Sequence, residues 1–143
     1  MAEMTFIKKY GLYLAFALSL VAMLASLFFS EVMKWAPCVL CWYQRVVMYP
    51  LVIITAVGII RKDLKVYLYI LPLTIIGLLI SIYHNLLYYK ILPENALPCL
   101  NGVSCTTKYI EWFGFVTIPL LSFCAFVLLT GLMLAYRQAV KEN

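Results

Sequence analysis

The chain has 143 residues, 66% hydrophobic and 12% charged, with a mean hydropathy of +0.99. Soluble domains are about half apolar and a quarter charged, so this composition excludes an ordinary water-soluble fold and is that of a membrane protein. The net charge of +5 does not point to nucleic acid, because the basic residues sit in short segments between apolar runs, where membrane orientation requires them.

Four stretches are long enough to cross a hydrocarbon core of ~30 Å, which takes about 20 helical residues. They cover 10–29, 43–60, 66–89 and 113–136. They predict an all-α membrane protein, a four-transmembrane-helix bundle forming a single integral membrane domain over 1–143. The first run follows Lys8 and Lys9 and so resembles a signal peptide. Its apolar core is too long for one, and it leads into Phe28, Phe29, Ser30 and Glu31 rather than a small-residue cleavage site. It is read as a retained helix. Pro50, Pro72 and Pro119 lie within spans, where neighbouring helices make them tolerable. Gly58, Gly77, Gly114, Gly131, Ser81 and Ser122 are read as small residues for close helix packing.

The basic residues orient the bundle. Lys8, Lys9, Arg61, Lys62, Lys65, Arg137 and Lys141 flank one set of helix ends, while Lys34, Arg45, Lys90 and Lys108 flank the other. The positive-inside rule then predicts both termini and the 61–65 turn in the cytoplasm, with the first and third loops outside. Trp35, Trp42 and Trp112 all fall at the outer ends, as an aromatic belt would place them.

Of five cysteines, Cys38, Cys41, Cys99 and Cys105 fall on the outward side, where disulfides persist; Cys124 lies within a span. In Cys38-Val39-Leu40-Cys41, Pro37 suits a helix start, and residues three and four apart share a helix face. Cys38, Cys41 and Arg45 therefore form one stripe. The unpaired N–H groups of a helix start and the arginine charge both favour a thiolate, the nucleophile of disulfide exchange. The bland alternative for Arg45 is an interfacial anchor. His84, the only histidine, is expected at a similar depth near the outer end of the third span, either bonding between helices, or donating to a bound carbonyl or relaying a proton to the outer face. Gln44 and Tyr43 are within reach of the same region. Cys99 and Cys105 enclose Leu100-Asn101-Gly102-Val103-Ser104, a turn able to close a labile disulfide or a simple staple. Cys124, between Phe123 and Ala125, is read as a small hydrophobe.

CVLCWYQR, the lone His84, the second outward cysteine pair and the following EWFGFVTIPLLS stretch resemble the DsbB family of membrane thiol:quinone oxidoreductases, in particular its short BdbC branch. The resemblance covers nearly the whole chain. It implies a bacterial cell-membrane enzyme, active as a monomer in the lipid bilayer. Such an enzyme reoxidises an extracytoplasmic thioredoxin-like thiol-disulfide oxidase and passes the electrons to a membrane quinone, ubiquinone or menaquinone. It implies that the partner attacks Cys99, that Cys105 passes electrons to Cys38, and that Cys41 faces the quinone beside Arg45, with His84 in support. The second pair is closer in sequence than in the best-known members, which leaves the order of attack at Cys99 and Cys105 open. Three other readings stand beside this one: a membrane protein holding zinc through four cysteines, a quinone reductase like the vitamin K epoxide reductases, and an assembly subunit with two disulfide staples.

Overall fold

The computed structural model describes residues 2–93 and 117–142. Among them are four long helices and no strand: α1 (Ala2–Leu27), α2 (Val39–Arg61), α3 (Tyr67–Tyr88) and α4 (Ile118–Lys141). All four are long and apolar enough to cross a membrane. Cys99, Cys105, Lys108, Trp112, Gly114 and the start of the fourth predicted span lie outside the described residues.

Three of the helices overrun their predicted spans, while α3, predicted at 66–89, matches to within one residue at each end. The first begins at Ala2 rather than at 10, because Lys8 and Lys9 are good helix formers and the helix continues through them. It ends in a π-helical turn, Phe28–Val32. The second begins at Val39 rather than at 43, directly after Pro37 and Cys38. The fourth runs past Tyr136 to Lys141. Hydropathy marks the lipid-crossing part of each helix, and helix propensity carries the backbone beyond it.

Local chemistry explains the ends. The Thr117 hydroxyl accepts the Leu120 N–H at 3.3 Å, an N-cap with Pro119 in the first turn of α4. At the end of α2, Lys62 adopts a left-handed conformation (φ 52°), and its N–H reaches the carbonyls of Gly58 and Ile59. Asp63 then accepts the Lys65 N–H at 2.8 Å. This folds the chain tightly into α3, with Val66 packed over Gly58. A Cβ at position 58 would come within 2.8 Å of Val66, so glycine permits the close hairpin.

Each helix packs on two neighbours: α1 on α2 and α4, and α3 on α2 and α4. The buried residues of α3, from Tyr67 through Ile70, Leu71, Thr74, Gly77 and Ser81 to His84 and Leu87, recur every three or four positions. They form one stripe toward the bundle axis. The α2 stripe runs from Leu40 through Gln44, Val47, Met48, Leu51 and Thr55 to Gly58. Outward residues such as Ile53, Ile60, Leu79 and Leu128 are exposed large hydrophobics, as a lipid-facing surface needs. The mid-span hydroxyls of Thr55, Thr74, Ser81 and Thr130 donate to carbonyls of their own helices, at 2.7 to 2.9 Å. They are satisfied without bridging to a neighbour.

One small residue fixes the contact between α3 and α4. The Phe126 ring is fully buried and fills the space where a side chain on Gly77 would stand. Overpacking of this kind costs about 1–3 kcal/mol. Gly77→Ala is expected to destabilise the protein by an amount in that range, read as a lower midpoint of unfolding in detergent. Gly131→Ala, with open space around it, is expected to be neutral or to stabilise by up to about 1 kcal/mol through lost backbone freedom in the unfolded chain.

Candidate active site

The first turn of α2 places the cysteines. Cys38 is the N-cap, in extended backbone, and its carbonyl accepts the Trp42 N–H at 3.1 Å. Cys41 follows three residues on, so its side chain lies over the cap. The two sulfurs are 3.2 Å apart. Cys38 is buried and Cys41 half-buried. Disulfide exchange needs sulfurs close enough to bond with little backbone movement, and this spacing provides that.

His84 closes the site from α3. Its Nε2 is 3.7 Å from Cys38 Sγ, and its Nδ1 is 3.4 Å from Gln44 Nε2. With the Gln44 amide donating to Nδ1, the ring proton sits on Nε2 and is donated toward the Cys38 sulfur. The Cys38 thiol, just ahead of the membrane span, is held below its ordinary pKa. The hydrogen bond with Cys41 is the main cause; burial opposes it, and the His84 contact adds to the lowering. The largest lowering influences on Cys38 are a second sulfur and an imidazole from another helix, with the Cys41 backbone N–H adding to them.

Arg45 lies on the expected stripe, but its hydrogen bonds turn the other way. Nε donates to Ser26 Oγ at 2.8 Å and Nη2 to the Ser26 carbonyl at 2.9 Å, with the guanidinium 5.4 Å from the centre of the Trp42 ring. The arginine thus grips α1 just before its π-helical turn. On α3, Asn85 donates to the carbonyls of Ser81 and Pro119, at 2.8 and 2.9 Å, and ties α3 to the start of α4.

These groups line one end of a cavity of about 370 Å³. Cys38, Cys41, Gln44, Arg45, His84 and Ser26 all contribute to its wall. The remainder is apolar, including Ala22, Ala25, Met48 and Ala125. Val21 and Leu121 also border it, and both are exposed on the outer surfaces of α1 and α4. The cavity therefore meets the lipid-facing surface between those two helices. A mostly apolar pocket with a few convergent polar groups is the usual form of a small-molecule site.

The structure thus brings together Cys38, Cys41, Arg45 and His84. Cys99 and Cys105 lie outside the described residues. Tyr43 is exposed, and Cys124 is a free, exposed cysteine on α4, facing outward. Ser26 was not legible as a site residue, since a serine in the apolar run of α1 carries no signal until the rotation of that helix is known. Gln44 was named from the sequence only as within reach of the region, together with Tyr43; it is the one of the two that meets His84.

The comparisons agree with this architecture. The family profile for the disulfide bond formation protein DsbB matches residues 8–136. The disulfide bond formation protein C of Bacillus subtilis (strain 168) is 48% identical over 118 residues, 82% of this chain and 86% of the relative. The "Probable disulfide formation protein C 2" of Bacillus cereus (strain ATCC 10987 / NRS 248) is 46% identical over 141 residues, 98% of this chain and 99% of the relative. A "Probable disulfide formation protein" of Metapseudomonas resinovorans is 41% identical over 128 residues, 89% of each chain. No solved structure matches significantly. With paired sulfurs at a helix start, four membrane-length helices and a family match over nearly its full length, the chain belongs to the DsbB family of disulfide-forming membrane oxidoreductases.

Proposed function

We propose that the protein is a thiol:quinone oxidoreductase of the bacterial cell membrane. It takes electrons from an extracytoplasmic thioredoxin-like oxidase and passes them through Cys99–Cys105 and then Cys38–Cys41 to ubiquinone or menaquinone. The observation that carries this reading is the cavity. Its polar end holds both sulfurs of the first pair, and its apolar end reaches the lipid surface between α1 and α4. A molecule with a polar ring and a long apolar tail suits that shape, and it can arrive from the bilayer.

The sulfur steps balance as exchanges. A partner thiolate attacks the Cys99–Cys105 disulfide, and the partner's second thiol resolves the mixed disulfide, leaving the partner oxidised and the pair reduced. A thiolate of that pair, Cys105 in the family's order, attacks Cys38 of the Cys38–Cys41 disulfide. Resolution by Cys99 leaves Cys38 and Cys41 reduced. The quinone, when bound, accepts two electrons and two protons. The protein holds the reacting groups for that transfer. Cys41 lines the cavity, and the reduced pair closes to a disulfide as its electrons leave. His84 presents Nε2 to Cys38 and Nδ1 to Gln44, so its imidazole can hold a proton beside the sulfur. Arg45, anchored on Ser26, sets a permanent positive charge in the cavity wall, where negative charge on a reduced ring oxygen would develop.

The orientation follows the same reading. Lys8, Lys9, Arg61, Lys62, Lys65, Arg137 and Lys141 all belong to the end of the bundle opposite the cysteines. This supports a cytoplasmic location for both termini and an extracytoplasmic one for the sulfurs. The vitamin K epoxide reductase and staple-subunit readings have no comparable support, since the match to DsbB covers 8–136.

A turnover assay tests the reading, with purified protein in detergent, a reduced thioredoxin-like substrate and a titrated quinone. Cys38→Ser and Cys41→Ser are each expected to reduce quinone-dependent oxidation of the substrate to background. A wild-type rate in either variant removes the relay. Arg45→His is expected to raise the apparent KM for quinone about tenfold or more, the scale of a lost charge-assisted hydrogen bond, and to harm quinone use more than folding. Ser26→Ala is expected to shift KM the same way but less, because the Ser26 carbonyl still holds Nη2. An unchanged quinone dependence in both variants would make Arg45 an anchor alone.

A further inference from the structure

The sulfur pair and the histidine have a second chemical capacity, which electron relay does not use. Cys38, Cys41 and His84 are the one trio of Cys, His, Asp or Glu side chains found among the described residues with ligand atoms all within 4.8 Å of one another. The two sulfurs come from the first turn of α2 and the imidazole from the buried stripe of α3. All three donors are soft or borderline, and the set contains no carboxylate. That selects closed-shell thiophilic cations of the zinc type over magnesium or calcium.

The distances suit such an ion. Tetrahedral bonding at ~2.3 Å to sulfur and ~2.0 Å to nitrogen places neighbouring donors about 3.5–3.8 Å apart. The Cys38 sulfur is already 3.7 Å from His84 Nε2, and the two sulfurs, at 3.2 Å, need to separate by roughly half an ångström. Turning the Gln44 amide over presents its oxygen to Nδ1–H and frees the Nε2 lone pair for the metal, the usual arrangement for a ligating histidine. Two thiolates and a divalent ion are neutral together, which suits a half-buried site. The fourth position opens toward the cavity.

We propose that the reduced Cys38–Cys41 pair and His84 form a three-ligand site for a zinc-type divalent cation, and that its occupancy blocks reoxidation of the pair. Binding displaces whatever protons the two sulfurs still carry and moves no electrons. The disulfide form offers no thiolate, so the site exists only in the reduced half of the cycle. A cation held there ties up both sulfur lone pairs and fills the polar end of the cavity. The proposal rests on the sulfur and imidazole geometry and does not depend on the identity of the electron acceptor.

The test uses full-length protein in detergent and cadmium or zinc alone, with neither quinone nor partner present. Reduced protein carrying Cys99→Ser and Cys105→Ser is expected to bind one cadmium per chain, read by the ultraviolet thiolate-to-cadmium absorbance. The same protein with its Cys38–Cys41 pair oxidised is expected to bind none. Gln44→Ala is expected to weaken binding about tenfold, as loss of a metal ligand's hydrogen-bond partner typically does, and His84→Ala to weaken it further. X-ray absorption at the metal edge, on the reduced chain with all its cysteines, is expected to show two sulfurs and one nitrogen. This reading needs no variant to fold. Four sulfurs around the metal, equal binding by the oxidised pair, or full affinity in His84→Ala would each overturn the proposal.

Discussion

The contact between Cys38 and His84 is the constraint on which the rest of the site depends, and it is set at the far end of the bundle. The turn from Lys62 to Val66 joins α2 to α3, and Gly58 lets Val66 close against it. From Gly58 back to Cys38, and from Val66 on to His84, the chain climbs five to six helical turns, about 27–30 Å at 1.5 Å per residue. The two side chains therefore arrive at the same height on facing stripes. A tight hairpin with buried faces in register is enough to bring a histidine from one helix to a sulfur at the start of another.

Polar groups within a membrane must find partners in the protein, and this bundle divides them by height. Thr55, Thr74, Ser81 and Thr130 bond to their own helices. The cross-helix side-chain bonds described above join Arg45 to Ser26, Gln44 to His84, His84 to Cys38, and Asn85 to Pro119. All of them lie at the cysteine end. Deeper in the bundle, Phe126 against Gly77 and Tyr136 against Gly11 and Tyr67 hold the helices by packing. Polar cross-links thus concentrate where reacting groups must be held in fixed geometry, and shape complementarity serves elsewhere.

Much of this was legible in the sequence, and the gaps have definite causes. Apolar run length found all four helices, because the thickness of a bilayer is a strict requirement. It misplaced the start of α1 and the end of α4, because Lys8, Lys9 and Arg137 sit comfortably in a helix beyond the lipid. The pairing of Cys38 with Cys41 followed from helical spacing within one element. The partners of Arg45 did not, since they depend on how α1 is rotated about its axis. A sequence stripe shows which residues share a face, but not which neighbour that face meets. Arg45 was expected to set a positive charge near the sulfurs; it lines the same cavity, and its hydrogen bonds go to Ser26 of α1. Cys99 and Cys105 remain known by their place in the sequence and the family match.

The cavity itself is a consequence of small residues in α1. Lower in that helix Ala15 and Ser19 are fully buried, so the neighbouring helices close against it. One to two turns further on, Ala22, Ala25 and Ser26 face Arg45, Met48 and Tyr49 of α2 across the cavity. Short side chains at that height leave volume that the larger α2 residues do not fill. Arg45 spans the gap at the sulfur end by bonding to Ser26, which holds α1 in place while the space beneath stays open toward α4. Filling it from α1, for instance with a leucine at Ala25, would remove the volume while leaving the sulfurs, His84 and Gln44 in place. Such a change separates the two capacities argued for this site, because a cation needs only the three donors whereas a ring with an apolar tail needs the space.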